Sequence, residues 1–288
     1  MTITVAAPAK INLTLDITGR LDNGYHTIRS VMQAVDLADR ITLTLTGRPG
    51  IRVSIDDRTG GDSLPADSRN TAYRAAALMF AGSGYAGGAE IHIEKHIPQQ
   101  AGLGGGSADA AGVLTGLNRL LAADFCRERL MALGAEVGAD VPFCVHGGTA
   151  LAAGIGADIS PLPTLPGCHI VIAKPAGGVS TAEAYRLADG AVITARPDHD
   201  RLEQALRERD LPEIGALLCN VFEPALALPE TGNMHTIMRR HRCLGCQMTG
   251  SGSASFALFD NPAAAADCAA ALRGPYPQTY LCRPVLEL

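Results

Sequence analysis

The sequence predicts an α+β fold of two domains, and three features of the 288-residue chain indicate it. Strand-like and helix-like segments are interspersed, without the regular alternation that a parallel α/β barrel requires. The chain is longer than a single compact core normally needs. Residues 160–167 carry three prolines and a glycine, which is typical of a domain junction. We therefore expect domains at residues 1–162 and 163–288.

The first domain opens with strands. Apolar and polar residues alternate at residues 11–17, 41–45 and 51–55, and around Ile91 and Ile93, which predicts half-buried strands.

Helices and a return strand complete the first domain. Alanine and leucine lie on one helical face of residues 70–81 and, more regularly, of residues 107–121. Ser107 is the predicted N-cap of this longer helix. A helix at residues 127–137 and a strand at 147–153 follow.

The second domain mixes both element types in a similar way. The same patterns predict strands at residues 168–173, 246–249, 255–259 and 279–286, and helices at 181–187, 200–207, 214–219, 234–241 and 262–272.

Charge and composition exclude several classes of protein. The net charge is -5, and the one basic cluster, at residues 239–242, is expected to be a solvated helix end. A nucleic-acid partner is therefore not expected. No apolar run approaches the roughly 20 residues that span a bilayer, and the N-terminus does not resemble a signal peptide. We expect a cytoplasmic protein without a membrane partner; the oligomeric state is not indicated.

The eight cysteines are expected to be free thiols in that compartment. Cys243 and Cys246 form a CxxC motif, but no second ligand pair with suitable spacing accompanies it. We therefore predict no protein-bound structural metal.

The most informative segment places four glycines within residues 102–106, between a predicted strand and a regular helix. Glycine lets the backbone approach a ligand closely, and a helix N-terminus attracts anions. The segment therefore predicts a phosphate site, although a tight connection without a ligand is the alternative. The P-loop, dinucleotide, protein-kinase and nucleophile-elbow motifs do not match it. Asp109 either favours the helix dipole or has a metal role.

Three motifs resemble those of the GHMP kinases, the family of galacto-, homoserine, mevalonate and phosphomevalonate kinases. They are the glycine loop with its approach at residues 97–111, the N-terminal residues 7–13, and the glycine-rich turn at residues 248–253. The resemblance implies an ATP-dependent small-molecule kinase. It also implies an N-terminal domain like ribosomal protein S5 domain 2 and a ferredoxin-like C-terminal domain.

Finer matches at residues 8–13, 22–26 and 138–143 resemble the branch of the family that acts on a cytidine diphosphate polyol. That branch belongs to the non-mevalonate isoprenoid pathway, and ATP phosphorylates the 2-hydroxyl of the methylerythritol unit. The alternatives are a homoserine or mevalonate type of kinase, or a non-catalytic nucleotide-binding protein. The chain departs from the usual family pattern at Gln99, Gln100, Ala108 and residues 253–255.

The resemblance implies roles for individual residues. Asp140 would be the general base and Lys10 its cationic partner, whereas their residue types alone indicate a capping acid and a surface lysine. Asn12, Tyr25, His26 and Tyr185 would contact the acceptor, although Tyr185 is equally expected in the core. The nucleotide site would comprise Asn70, Thr71, Ala101, Gly102, Leu103, Gly104, Gly105, Gly106, Ser107, Gly250, Ser251 and Gly252.

Asn70 is equally expected to act only as a helix N-cap. Mg²⁺ is expected to accompany ATP, with no protein ligand assigned.

Overall fold

Two β-sheets carry the helices of this protein, which a computed structural model describes for residues 1–22 and 24–286. The strands are β1 (Thr2–Arg20), β2 (His26–Thr46), β3 (Gly50–Asp57), β4 (Gly88–Lys95), β5 (Thr149–Ala153), β6 (Asp158–Pro161), β7 (His169–Lys174), β8 (Cys219–Asn220), β9 (Gly245–Met248), β10 (Ser255–Phe259) and β11 (Gln278–Cys282). The helices are α1 (Thr71–Ser83), α2 (Gly105–Leu121), α3 (Arg127–Val137), α4 (Val141–His146), α5 (Thr181–Asp189), α6 (His199–Glu208), α7 (Leu211–Ala216), α8 (Phe222–Leu226), α9 (Pro229–Arg240) and α10 (Pro262–Arg273).

The first sheet has seven strands, in the order β3-β4-β2-β1-β8, with β5 and β6 extending from β2. Its centre is the long antiparallel pair β1–β2, whose register shifts between Pro8 and Ala9. Proline has no backbone N–H to donate, so a bulge at this position is expected. Just after the shift, the Lys10 N–H donates to the Leu103 carbonyl at 3.0 Å, which ties β1 to the glycine loop.

The second sheet has four antiparallel strands, in the order β11-β7-β10-β9. Numbered within this sheet, the order is 4-1-3-2, the arrangement of a ferredoxin-like fold. Helices α9 and α10 cover one face, where Met234, Met238 and Phe259 are fully buried. The other face joins the main core, in which Ile172 and Phe256 pack in the same cluster as Ile11.

Two strands are longer than their sequence patterns predict. β1 is buried on both faces from Ala9 to Asp16, so alternation detects only part of it. β2 extends far before residue 41 because buried polar side chains, including Ser30, Gln33 and Asp39, interrupt its apolar pattern.

Several helix boundaries also differ from prediction. The prediction that Ser107 caps α2 is wrong: Gly104 is the N-cap, with φ 71°, and the helix begins two residues before Ser107. α7 begins at Leu211 rather than residue 214, because Asp210 caps it and proline stands in its first turn. The short helices α4 and α8 were not predicted.

Across residues 1–22 and 24–286, no helix is long and apolar enough to cross a bilayer. The eight cysteines are free.

Candidate active site

The glycine loop leads from β4 into α2 and leaves the start of that helix open. Gly104, the N-cap residue of α2, has a left-handed backbone conformation and no side chain that could cap the first amides of the helix. Uncapped amides at a helix N-terminus attract anions. A Cβ on Gly104 would lie 3.0 Å from Lys10 Cγ, and one on Gly105 would lie 3.3 Å from Lys95 Nζ. Glycine therefore allows two lysine side chains to approach the loop.

A second glycine turn, at residues 250–252, packs directly against this loop. A Cβ on Gly102, whose φ is +72°, would lie only 2.1 Å from the Thr249 carbonyl oxygen. The Ala254 N–H donates to the Ala101 carbonyl at 3.3 Å, which joins the two backbones. The loop and the turn, both predicted to bind nucleotide, are therefore brought together by the tertiary fold.

The two predicted catalytic residues lie together beside the loop. Lys10 Nζ is 3.4 Å from Asp140 Oδ2, and Lys10 is only 4% exposed, whereas the Asp140 side chain is 30% exposed. Asp140 occupies the N-cap position of α4 but makes no capping hydrogen bond with its side chain in the described structure. A carboxylate held by a buried ammonium, with its other side open, is arranged for proton transfer from an incoming group.

Asn12 organises the buried side of Lys10. Its Oδ1 accepts from Lys10 Nζ at 2.7 Å and from Thr249 Oγ1 at 3.2 Å. Its Nδ2 donates to Ser30 Oγ at 2.8 Å. Asn12 also lines the cavity described below, but these bonds occupy most of its polar capacity. The predicted contact between Asn12 and an acceptor polyol stays a prediction.

A buried charged cluster that sequence reasoning missed lies beneath the loop. Lys95 Nζ contacts Asp39 Oδ2 and lies 2.8 Å from Asp109 Oδ2. Asp39 also accepts from the backbone N–H groups of His96 and Ile97, at 2.6 and 2.8 Å. The cluster therefore connects β2, β4 and α2 where the loop begins. The three residues lie far apart in sequence, and only a break in the alternation of β2 at Asp39 hinted at the cluster.

Burial and mutual charge shift the pKa values of this cluster. Burial raises the pKa of Asp109 to about 7, with Asp39 adding to the rise and Lys95 opposing it. Burial lowers the pKa of Lys95, but attraction to Asp109 and Asp39 outweighs it, and the net pKa is raised. Lys95 therefore stays cationic beneath the glycine loop. Asp109 takes part in this buried ion pair, which neither reading of its sequence position foresaw.

Aromatic side chains form a wall at another side of the site, where Tyr185 and Phe222 line the cavity and His26 packs on Tyr185. The rings of His26 and Tyr185 are stacked, with centroids 4.6 Å apart, and Tyr185 meets Phe222 edge-on at 4.9 Å. His26 Nε2 lies 2.6 Å from Asp189 Oδ1, on the α5 helix that also carries Tyr185. Burial, with a contribution from Asp140, raises the pKa of Tyr185 to about 12. The structure therefore joins His26 from β2 to Tyr185 from α5.

Tyr25 precedes this wall and is 65% exposed. In the predicted turn before it, Asn23 lies outside the described residues. Neither Tyr25 nor His26 lines the main cavity, so their predicted contact with a base stays a prediction.

The helix-capping reading of Asn70 is confirmed. Asn70 Oδ1 accepts from the Ala72 N–H at 2.8 Å, at the N-terminus of α1. Its neighbour Thr71 donates to the Gly106 carbonyl at 2.6 Å, which holds α1 against the glycine loop. Both residues still face the cavity.

One cavity, of about 660 Å³, unites most of these groups. Of the predicted residues, it is lined by Lys10, Asn12, Asn70, Thr71, Ala101, Gly102, Leu103, Gly104, Gly105, Gly106, Ser107, Asp140, Tyr185, Gly250, Ser251 and Gly252. Lys95, Asp109, Thr181 and Phe222 also line it, although sequence reasoning did not assign them there. The cavity is large enough for a sizeable ligand.

Comparison with known proteins identifies the family. The model of the GHMP kinases N terminal domain matches residues 70–148, and that of the GHMP kinases C terminal domain matches residues 202–278. A 4-diphosphocytidyl-2-C-methyl-D-erythritol kinase of Caldicellulosiruptor saccharolyticus is 45% identical, over 88% of this chain and 87% of the relative. The chain belongs to the GHMP kinase family. A kinase of the same name from Bacillus pumilus is 42% identical to this GHMP kinase, over 100% of the chain and 98% of the relative.

Solved structures confirm the two-domain GHMP kinase fold. A crystal structure of 4-(cytidine 5'-diphospho)-2C-methyl-D-erythritol kinase has a TM-score of 0.81 and 32% identity, covering 98% of this chain and 99% of that one. A homoserine kinase from Cytophaga hutchinsonii has a TM-score of 0.78 at 22% identity, covering 99% of this chain and 95% of that one. At this identity the similarity concerns the fold alone. This GHMP kinase is thus a small-molecule kinase, as its motifs predict. The boundary after residue 162 stays a prediction.

The site fits the phosphates of a nucleotide, because the start of α2 is uncapped and faces the cavity. Within residues 1–22 and 24–286, no group of three or more His, Cys, Asp or Glu side chains could hold a metal ion. Mg²⁺ commonly keeps several waters and binds through substrate phosphates. A magnesium ion is therefore expected to arrive with the nucleotide, and no protein ligand is assigned to it.

Proposed function

We propose that this chain transfers the terminal phosphoryl group of ATP to the 2-hydroxyl of 4-diphosphocytidyl-2-C-methyl-D-erythritol. The observation that carries the proposal is the placement of Lys10 and Asp140, 3.4 Å apart, in the same cavity as the glycine loop. A phosphate site alone does not need a carboxylate paired with a lysine beside it. Relatives with 42–45% identity that carry this substrate in their names support the choice of acceptor.

Asp140 accepts the proton of the acceptor hydroxyl in this proposal. Its neighbour Lys10 stabilises negative charge on the group in transfer. Lys10 is held in place by Asn12 at 2.7 Å, so little reorganisation is needed during the reaction.

The nucleotide lies with its phosphates at the uncapped start of α2. Backbone N–H groups of Gly105, Gly106 and Ser107 bind the phosphate oxygens. The ion pairs of Lys95 with Asp39 and Asp109 hold the start of α2 in place beneath them. Mg²⁺ bound with ATP supplies neutralisation of phosphate charge. Residues 250–252 close the other side of the phosphate site.

The aromatic wall selects the acceptor. Tyr185 in this wall and Tyr25, which precedes the wall, offer ring faces for a cytosine base, and His26, held by Asp189 at 2.6 Å, presents a fixed polar edge. Homoserine and mevalonate have no base to place against such a wall. Discrimination among acceptors is therefore expected to depend on this wall.

A coupled ADP-release assay with ATP tests the proposal across three acceptors: the cytidine diphosphate polyol, homoserine and mevalonate. We expect turnover only with the first. Turnover with homoserine or mevalonate, but not with the cytidine compound, would reject the proposed substrate. ATP binding without turnover on any of the three would favour a non-catalytic protein.

The same assay tests the catalytic pair. Asp140→Asn removes the base, and we expect kcat to fall by about 10²- to 10⁴-fold, because general-base catalysis contributes that much. Asp260→Asn is the matched control, since Asp260 is exposed and lies outside the cavity. If Asp140→Asn keeps the activity of the control, Asp140 is not the base.

A further inference from the structure

Asn220 uses its whole side chain to hold the backbone around the active site. Its Nδ2 donates to the Met248 and Gly250 carbonyls, at 2.8 and 2.9 Å. Its Oδ1 accepts from the Phe222 N–H at 3.0 Å. Asn220 is 5% exposed, so these bonds are sheltered from water. One amide therefore connects the glycine turn to the residue that lies edge-on to Tyr185.

The position of Asn220 is itself fixed by the first sheet. β8 consists of Cys219 and Asn220 and pairs in parallel with Thr14 and Leu15 of β1. The next residue, Val221, donates its N–H to the Leu15 carbonyl at 3.0 Å. The same strand β1 carries Lys10 and Asn12. Asn220 therefore fixes the position of the glycine turn relative to the strand that holds the catalytic lysine.

A second side chain holds the turn from the opposite direction. Glu223 Oε2 accepts from the Met248 N–H at 2.9 Å, while Asn220 binds the Met248 carbonyl. Both backbone groups of Met248 are thus bound by side chains from one short segment. Met248 directly precedes Thr249, whose carbonyl faces Gly102 and whose hydroxyl binds Asn12.

We propose that Asn220 is a positioning residue, which fixes residues 250–252 against the phosphate loop and links them to the aromatic wall at Phe222. The inference rests on the proposed role of that turn in holding the nucleotide. Only an amide has the required chemistry, because two N–H donors and one acceptor are needed on one short side chain. The donating half serves the nucleotide side, and the accepting half serves the acceptor side.

Asn220→Asp separates the two halves. Aspartate has the same shape and can still accept from the Phe222 N–H, but it places oxygen against the Met248 and Gly250 carbonyls. We expect the Kd of a fluorescent ATP analogue to rise by about 10- to 100-fold, from the loss of two buried hydrogen bonds. The KM of the cytidine acceptor is expected to change by less than about threefold, because the accepting bond remains.

Asn118→Asp is the matched control. Asn118 also uses its side-chain amide to bind backbone groups, but away from the proposed active site. Its Nδ2 donates to the Phe125 carbonyl at 3.0 Å and its Oδ1 accepts from the Phe125 N–H at 3.1 Å. Both variants are expected to lower the thermal midpoint, but only Asn220→Asp is expected to weaken ATP binding. If Asn220→Asp does not fold, Asn220→Ser, which also lacks the two N–H donors, is measured against Asn118→Ser.

Equal thermal destabilisation of the two variants, with ATP binding unchanged in both, would overturn the positioning role. A rise in acceptor KM as large as the rise in ATP Kd would overturn the division between the two halves of the amide. Binding of the ATP analogue is measured without acceptor, so the result does not depend on which acceptor the enzyme uses. If the proposed acceptor is wrong, wild-type protein still binds the ATP analogue but does not turn over the cytidine compound.

Discussion

Gly102→Ala tests how closely the two glycine segments must pack. A Cβ at this position would lie 2.1 Å from the Thr249 carbonyl oxygen and 3.2 Å from the Gly252 nitrogen. Because carbon and oxygen normally approach to about 3.3 Å, the loop and the turn must separate by roughly 1 Å. The φ of +72° adds about 1–2 kcal/mol of strain for a residue with a Cβ.

The expected kinetic effect follows from that separation. A shift of about 1 Å in groups that position a substrate can cost about 100-fold in rate, or about 2.7 kcal/mol of transition-state stabilisation. We therefore expect kcat/KM for ATP to fall by about 100-fold in the ADP-release assay. Urea unfolding of the same variant should show a loss of more than the roughly 1–2 kcal/mol that backbone strain alone explains.

Gly84→Ala separates strain from close approach. Gly84 has nearly the same φ, +70°, but a Cβ there would meet nothing within 4 Å. This control is expected to lose about 1–2 kcal/mol of stability and to keep its kcat/KM. If Gly102→Ala matches Gly84→Ala in both measurements, the loop and the turn do not need the contact that the structure shows, and the reasoning is refuted.

Two further predictions concern buried ionisable side chains. Lys95→Met leaves Asp39 and Asp109 buried without their cation, so we expect urea unfolding at pH 7 to show a loss of about 3–5 kcal/mol; a loss below about 1 kcal/mol would show that the carboxylates are relieved in another way. His235 is buried, and burial, aided by Arg239, lowers its pKa to about 4 from an ordinary value of 6.5. Its neutral form therefore contributes stability that is complete above pH 6.5 and is lost as the pH falls towards 4. Between pH 7 and about pH 4.5, we expect wild-type protein to lose about 2 kcal/mol more than His235→Gln in urea unfolding, and equal losses would contradict the shift.

Local sequence patterns were sufficient to predict many of the helices and strands. Helix α3, Arg127–Val137, and strand β10, Ser255–Phe259, have the bounds that periodicity predicts. Prediction failed where burial on both faces removed the alternation, as in β1, and where polar residues lie inside a strand, as at Asp39 of β2. It also failed at the start of α2, because capping rules favour Ser107 and do not foresee a helix that begins in glycine.

The amino-acid sequence by itself predicted which segment binds phosphate, since glycine density and the pattern of the following helix are local properties. It also supplied the candidate base and lysine through their motifs. Only the tertiary structure decided that Lys10 lies beside Asp140, that Gly102 packs on Thr249, and that Asn220 holds the turn. These contacts join segments far apart in the chain, and their geometry depends on how two sheets pack, which no local pattern encodes.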